Sequence, residues 1–224
     1  MAPTERAFST IDGTPVYYWR LTWGSTQART WYCTNAFYDQ LVLWVRRLRE
    51  VTAEAGYGNL SYLVSAGVYV NKTGQHGAGT AMDLDLLRFS GGTVISPIEQ
   101  HHAGSQTVRR RYLAVDATCR TYFRFVLDGW YNAAHGDHIH SDFGGLPVRC
   151  VTSSESDVKF VQALCNAHMA SGLAVDGIWG PLTQGAFDQA KARLGVSGNP
   201  HTDSAAWRSF LLAASRRGFA DQAF

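Results

Sequence analysis

Residues 74–89 read "GQHGAGTAMDLDLLRF". The spacing predicts a glycine-rich turn that runs directly into a strand. Gly74, Gly77 and Gly79 let the backbone approach closely around His76 and keep its imidazole free of crowding neighbours. His76 and Asp83 then stand as H-x6-D, one at the turn and one in the strand.

About sixty residues further on, residues 135–142, "HGDHIHSD", place three histidines and two aspartates in eight positions. In a strand, residues i and i+2 point to the same face, so His138 and His140 would project together, with Asp142 continuing the row. Strand parity puts Asp137 on the opposite side, unless a turn ending near it breaks the alternation. A catalytic zinc takes three protein ligands from His, Asp or Glu and leaves a fourth position open. His76, Asp83 and one of the two histidines of H-x-H would complete such a shell without a thiolate.

Outward from these motifs, "LSYLVSAGVYV" (60–70) reads as a strand and "GGTVISP" (91–97) as a turn and a third strand. Upstream, Phe37, Leu41, Trp44, Val45 and Leu48 repeat at helical spacing, with Thr34 or Asn35 as N-cap and Gly56 as stop. A second helix is expected over Arg111–Leu127, carrying Tyr112, Val115, Cys119, Tyr122, Phe123 and Val126. The aromatic, β-branched stretch 14–23, "TPVYYWRLTW", follows the turn signal Asp12-Gly13 and reads as a strand or hairpin. Strands with flanking helices place residues 1–150 in the α+β class.

The texture changes after Cys150. A polar, Ser-rich joint, "VTSSESD", leads into a helical stripe of Val158, Val161, Leu164 and Cys165. A Pro-started helix around Phe187 and a last helix with Trp207, Phe210 and Leu211 follow, so a boundary is expected at 150 with a small all-helical domain over 151–224.

Composition narrows the function classes. Of 224 residues, 46% are hydrophobic and 17% charged, a globular balance, and the apolar runs are too short to span a bilayer, so a soluble protein without membrane contact is expected. A net charge of +2 makes nucleic acid a poor partner. The start "MAPTERAFSTIDG" lacks the basic and apolar pattern of a secretory signal, so any export would use another route. Cys33, Cys119, Cys150 and Cys165 stand apart without a C-x-x-C pair, as core residues or as disulfide partners in one of three pairings. The "GAG" segment lacks the G-K-[ST] ending of a phosphate loop.

The stretches "GQHGAGTAMDLDLLRFSGGTVIS", "ATCRTYFRFVL" and "YNAAHGDHIHSDFG" resemble, in that order, the extensin-like C-terminal family of the LAS-type metallopeptidases. That superfamily is named for lysostaphin, D-alanyl-D-alanine peptidases and hedgehog. The resemblance implies an antiparallel sheet with flanking helices, a Zn2+ cofactor, and His76, Asp83 and His140 as its ligands. It places Asp137 where related peptidases carry the catalytic acid, and His135 and His138 where others line the site; Asp137 is expected as base, with His138 as oxyanion or proton-relay partner. Two departures stand out. Gly74 replaces a serine common two places before the first ligand, and Asn71 and Lys72 stand where an arginine is often found. Lys72 lacks the bidentate fork, which favours an endopeptidase over a carboxypeptidase.

Residues 158–187, with "VDGIWGPLTQGAF" at their end, resemble the peptidoglycan-binding type 1 module, a three-helix unit. Asp176-Gly177 and Gly180-Pro181 are expected to set turns around a groove, and Thr183 to cap a helix. The two resemblances together imply a zinc hydrolase of bacterial peptidoglycan, expected as a monomer; with no secretory signal read at its start, it is expected to reach the wall through a holin pore or an injection apparatus. Its rivals are a wall-binding protein whose metal site is structural or lost, and a metal nuclease built on H-x-H.

Overall fold

The computed structural model describes residues 5–21, 24–144 and 147–224. Its first strands are short: β1 (Arg6–Phe8), β2 (Thr10–Ile11) and β3 (Thr14–Tyr18). Asp12 and Gly13, both at positive φ (48° and 81°), close the β2–β3 hairpin, as the Asp-Gly signal requires. The strand expected to run to residue 23 ends at Tyr18; Thr22 and Trp23 lie outside the described residues. After β4 (Gln27–Ala28) and β5 (Trp31–Cys33), helix α1 spans Asn35–Glu54. Thr34 is its N-cap, its hydroxyl accepting from the Phe37 amide at 3.2 Å. Gly56, at φ 76°, turns the chain just beyond its end.

Strand β6 (Leu60–Gly67), the short helix α2 (Gln75–Ala78), and strands β7 (Ala81–Phe89) and β8 (Val94–Ile95) follow. Helix α3 covers Gln106–Tyr122, earlier at both ends than periodicity predicts. Ser105 caps it from outside, and Phe123 turns extended (φ −110°, ψ 137°), so Val126 lies in strand β9 (Phe125–Leu127) rather than in the helix. Strand β10 is Ile139–Asp142. The main sheet runs β2-β3-β6-β7-β10-β9, with β4 beside β3 and β8 beside β7; β1 and β5 form a separate ribbon. Among the described residues all strand pairs are antiparallel except β3 with β6. The architecture is mixed α/β, with six α-helices among the described residues and open sheets.

One face of the sheet is apolar. Met82, Leu84, Leu87 and Ile139 bury themselves against Leu41, Trp44 and Leu48 of α1 and Tyr112 and Val115 of α3. Full burial of one such side chain contributes about 1.5–3 kcal/mol. The Trp44 indole also donates to the Thr118 hydroxyl at 3.1 Å, which ties α1 to α3. Because strands alternate, residues next to these core positions, Asp83 and His140 among them, face the other way.

Three helices complete the chain: α4 (Glu155–Met169), α5 (Pro181–Arg193) and α6 (Ser204–Phe219). Val161, Leu164, Cys165, Trp207, Phe210 and Leu211 form a second core, as the helical stripes predict, and Val158 of the same stripe is buried outside that cluster. Leu113 and Ala117 of α3 belong to that second core, whereas Phe219 of α6 sits in the first, so the two cores share helices. A β-carbon at Gly218 would lie 2.6 Å from the Arg110 carbonyl oxygen, a measure of how closely α6 rests on α3. The expected cap of α5 is replaced by Gly180; Thr183 instead accepts from Gln162 Nε2 at 3.1 Å. All four cysteines are buried and free.

Arg120 fastens α4 to α3. Its guanidinium, 3% exposed, donates to Asp116 at 2.7 Å, Asp157 at 2.9 Å and Asp128 at 3.4 Å. Removing this cation strands several carboxylates in a dry interior, which typically costs about 3–5 kcal/mol. Arg120→Met is therefore expected to lower unfolding stability by about that amount in urea titration; a variant within ~1 kcal/mol of the parent would contradict this role.

Candidate metal centre

His76 is placed by backbone geometry before any side-chain contact. Its one-turn helix is entered at Gly74 (φ 89°) and left at Gly79 (φ 69°), both in the left-handed region. A β-carbon at Gly77 would stand 1.7 Å from the Lys72 carbonyl oxygen, so only glycine fits there. The His76 ring is buried, and its Nδ1 meets the Val68 carbonyl at 2.7 Å. That contact makes Nδ1 the protonated nitrogen and turns Nε2 inward as an acceptor.

Asp83 sits within β7, where it pairs with Gly67 of β6 on one side and His140 of β10 on the other. Cross-strand pairing thus brings two residues 57 apart in sequence into contact, with His140 Nδ1 2.9 Å from Asp83 Oδ1. His76 Nε2 lies 3.1 Å from the same oxygen and 3.2 Å from His140 Nδ1. Ligands about 2.0–2.1 Å from a common tetrahedral centre stand roughly 3.3 Å apart, so the donor set His, Asp, His has the spacing and chemistry to hold a zinc-sized cation. The outer nitrogen of each histidine is also engaged, by the Val68 carbonyl for His76 and by Asp142 at 3.4 Å for His140.

Electrostatics match that arrangement. Burial pushes the Asp83 carboxyl up, but the His140 and His76 imidazoles more than offset this and hold it well below the usual carboxylate range. Burial pulls His140 down, yet Asp142 and Asp83 raise it to about 9. In the metal-free protein this proton contributes stability fully present below pH 6.5 and lost as pH rises through about 9. A metal must displace it. At pH 7 binding is expected to release about one proton from His140, weakening affinity about tenfold for each unit of falling pH. Calorimetry in buffers of different ionisation enthalpy reads that proton directly; buffer-independent heats would contradict the assignment.

The remaining residues singled out from sequence lie beside the three donors. A short 3₁₀ turn, Ala133–His135, precedes β10, and β10 starts only at Ile139, so strand parity does not extend back to Asp137. His138 Nε2 stands 3.7 Å from Asp83 Oδ1, and its Nδ1 is 2.7 Å from Asp137 Oδ1. The Asp137 carboxylate is 44% exposed; burial raises it, but contacts from His138 and Arg20 bring it below its ordinary value. The His135 ring lies 5.1 Å from that of His138 and 6.0 Å from that of His140. Burial, then His138 and His140, lower His135 to about 4, and its Nδ1 lies 2.7 Å from Asn132 Oδ1. Lys72 is exposed.

Sequence reading missed Arg20 and Asn132. Arg20 donates from Nε and Nη2 to Asp85 at 3.0 and 2.8 Å, and from Nη1 to Asp137 Oδ2 at 2.8 Å. The available signal was a single cation at the end of an aromatic strand. His101, His102, His168 and His201 take no part in the cluster. A separate cleft of about 370 Å³, lined by Gln106, Arg109, Trp130 and Asn166 among others, contains none of the six candidate site residues.

With His76, Asp83 and His140 converging, one comparison bears on this half of the chain. Residues 42–150 match the family model "Extensin-like protein C-terminus". The extensin-like segment is just under half of the chain and holds all six candidate residues. It ends at Cys150, where the sequence changes texture, and it begins after Arg20. No peptidase family and no peptidoglycan-binding family matches. No curated protein and no solved structure matches the chain. Among the described residues no helix is long and apolar enough to cross a membrane.

Proposed function

We propose that the protein is a zinc-dependent peptidase that cuts the stem peptides of bacterial peptidoglycan, with the helical segment 151–224 as its wall-binding part. The observation that carries this reading is the meeting of His76, Asp83 and His140, whose ligand atoms all lie within 4.8 Å of one another beside His138 and Asp137. A zinc ion held there would supply Lewis acidity toward water and toward the scissile carbonyl.

The protein's own groups account for the proton movements. His138 donates from Nδ1 to Asp137, which leaves Nε2 as the basic nitrogen on the side of the three donors. His138 takes a proton from the attacking water as the C–O bond forms and returns it to the nitrogen as the C–N bond breaks, yielding one carboxyl and one amine. Asp137 is better suited to hold that imidazole, and to stabilise its charged form, than to act as the base itself. Both of its oxygens are already engaged, one by His138 and one by Arg20. His135, neutral at pH 7 with Nδ1 committed to Asn132, offers an acceptor to a substrate N–H.

Endopeptidase action fits the engagement of the Arg20 guanidinium by Asp85 and Asp137, which leaves that residue no free fork for a terminal carboxylate. Along the tail, the turn at Gly177 (φ 79°) borders a groove of about 190 Å³ where Ile178 and Leu182 are exposed, a surface suited to contact with the wall. Four free cysteines suit folding in a reducing compartment before delivery by a holin pore or an injection apparatus.

Purified sacculi, digested and read by mass spectrometry, test the proposal. New amino termini are expected with metal-loaded protein, and their loss after exhaustive chelation with return on adding zinc. Digestion that persists without metal would overturn the zinc mechanism. Binding to sacculi with no new termini would instead support a non-catalytic wall-binding protein.

A further inference from the structure

Arg20 reaches the site from outside the extensin-like segment. It follows β3, which is joined to the sheet beside β6, while Asp85 lies on β7 and Asp137 just before β10. The contacts therefore span 65 and 117 positions of sequence. The hairpin that carries Arg20 is itself pinned: Arg49 of α1 donates to Asp12 Oδ2 at 2.8 Å, and the Trp31 indole donates to the Val16 carbonyl at 3.1 Å.

Asp85 is fully buried, and two of the guanidinium donors suffice to pair both of its oxygens. Nη1 is left over for Asp137, the carboxylate that bonds His138. A planar, fixed fork can address two carboxylates at set angles, which the single-point ammonium of lysine cannot. The result is a chain of contacts, Asp85 to Arg20 to Asp137 to His138, with its anchored end inside the fold and its free end at the metal centre.

Resting on the peptidase reading above, we infer that Arg20 is a positioning residue: braced on buried Asp85, it fixes Asp137 and through it the orientation and tautomer of the His138 imidazole. Arg20 touches neither substrate nor the three donors in this scheme. Its effect belongs to turnover and not to metal or substrate affinity.

The test compares Arg20→Lys, Asp137→Asn and the double variant of the full chain. Each is first checked for one zinc per molecule and for cooperative unfolding. On sacculi, Arg20→Lys is expected to lower kcat about tenfold or more with KM within about twofold, a fraction of what a positioned general base supplies. Asp137→Asn should do likewise, and the double variant should be no slower than Asp137→Asn alone, since residues acting through one another are not additive. A structural role alone would give multiplied effects, or full activity in whatever fraction folds. Either result overturns the inference.

A second readout needs no turnover. Long-range 1H–15N spectra of the zinc-loaded wild type are expected to show His138 protonated at Nδ1 alone, and Arg20→Lys a mixture of tautomers. Identical spectra would overturn the inference even if murein proved not to be the substrate. Wild type that is inactive on sacculi, with the tautomer shift present, would fault the peptidase reading and keep Arg20 in its assigned role.

Discussion

His140→Ala is expected to abolish both metal binding and peptidase activity, the largest effect of any single substitution here. His140 supplies one of three donors, and its Nδ1 lies within 3.2 Å of the other two. Two donors do not close a tetrahedral site, so zinc content of purified protein should fall from about one to near zero per molecule. Sacculus cleavage should fall by roughly 10³-fold or more, the loss expected when electrostatic stabilisation of the transition state goes with the metal. The protein should still fold, because the ring lies at the polar end of a strand pair while the apolar face holds β10 through buried Ile139. Retained zinc at full stoichiometry would show that another residue completes the shell.

His138→Ala should separate binding from chemistry. His138 Nε2 is 3.7 Å from Asp83 Oδ1, close to the donors but not among the three that converge. Zinc affinity should change little, whereas kcat should drop about 10²–10⁴-fold, the usual contribution of a positioned acid–base group. Asp137→Asn should produce a smaller loss if Asp137 only orients His138. A larger loss for Asp137→Asn than for His138→Ala would return the base role to the carboxylate, as the family resemblance implies.

How much of this was legible beforehand follows from the range of each interaction. Helix α1 could be read with its cap narrowed to Thr34 or Asn35, because a cap and the amide it serves, here Thr34 and Phe37, are only three residues apart. The hairpin at Asp12-Gly13 is equally local. The end of α3 was not legible: Phe123 and Val126 continue the helical spacing, yet Val126 pairs with Ser141 as strand. Periodicity cannot tell a short apolar strand from a further turn of helix when the deciding partner is distant.

His76 and Asp83 were legible as metal-capable types in a compact motif, whereas spacing left His138 and His140 open and only the resemblance to the extensin-like family singled out His140; alternation did put His140 and Asp142 on one face. Arg20 was not legible, since its meaning lies in Asp85 and Asp137, which only the β3–β6–β7–β10 order brings near it. Which way Asp137 points relative to His138 depended on where β10 begins, a boundary that side-chain types do not mark. The tail showed its helices in its stripes, but its packing on α3 through Arg120 and Gly218 rests on nonlocal fit.

The most direct test is a crystal of the zinc-loaded protein measured on both sides of the zinc absorption edge. One anomalous peak is expected, about 2.0–2.2 Å from His76 Nε2, Asp83 Oδ1 and His140 Nδ1 together. A peak at other residues, or no peak from protein equilibrated with excess zinc, would contradict the account.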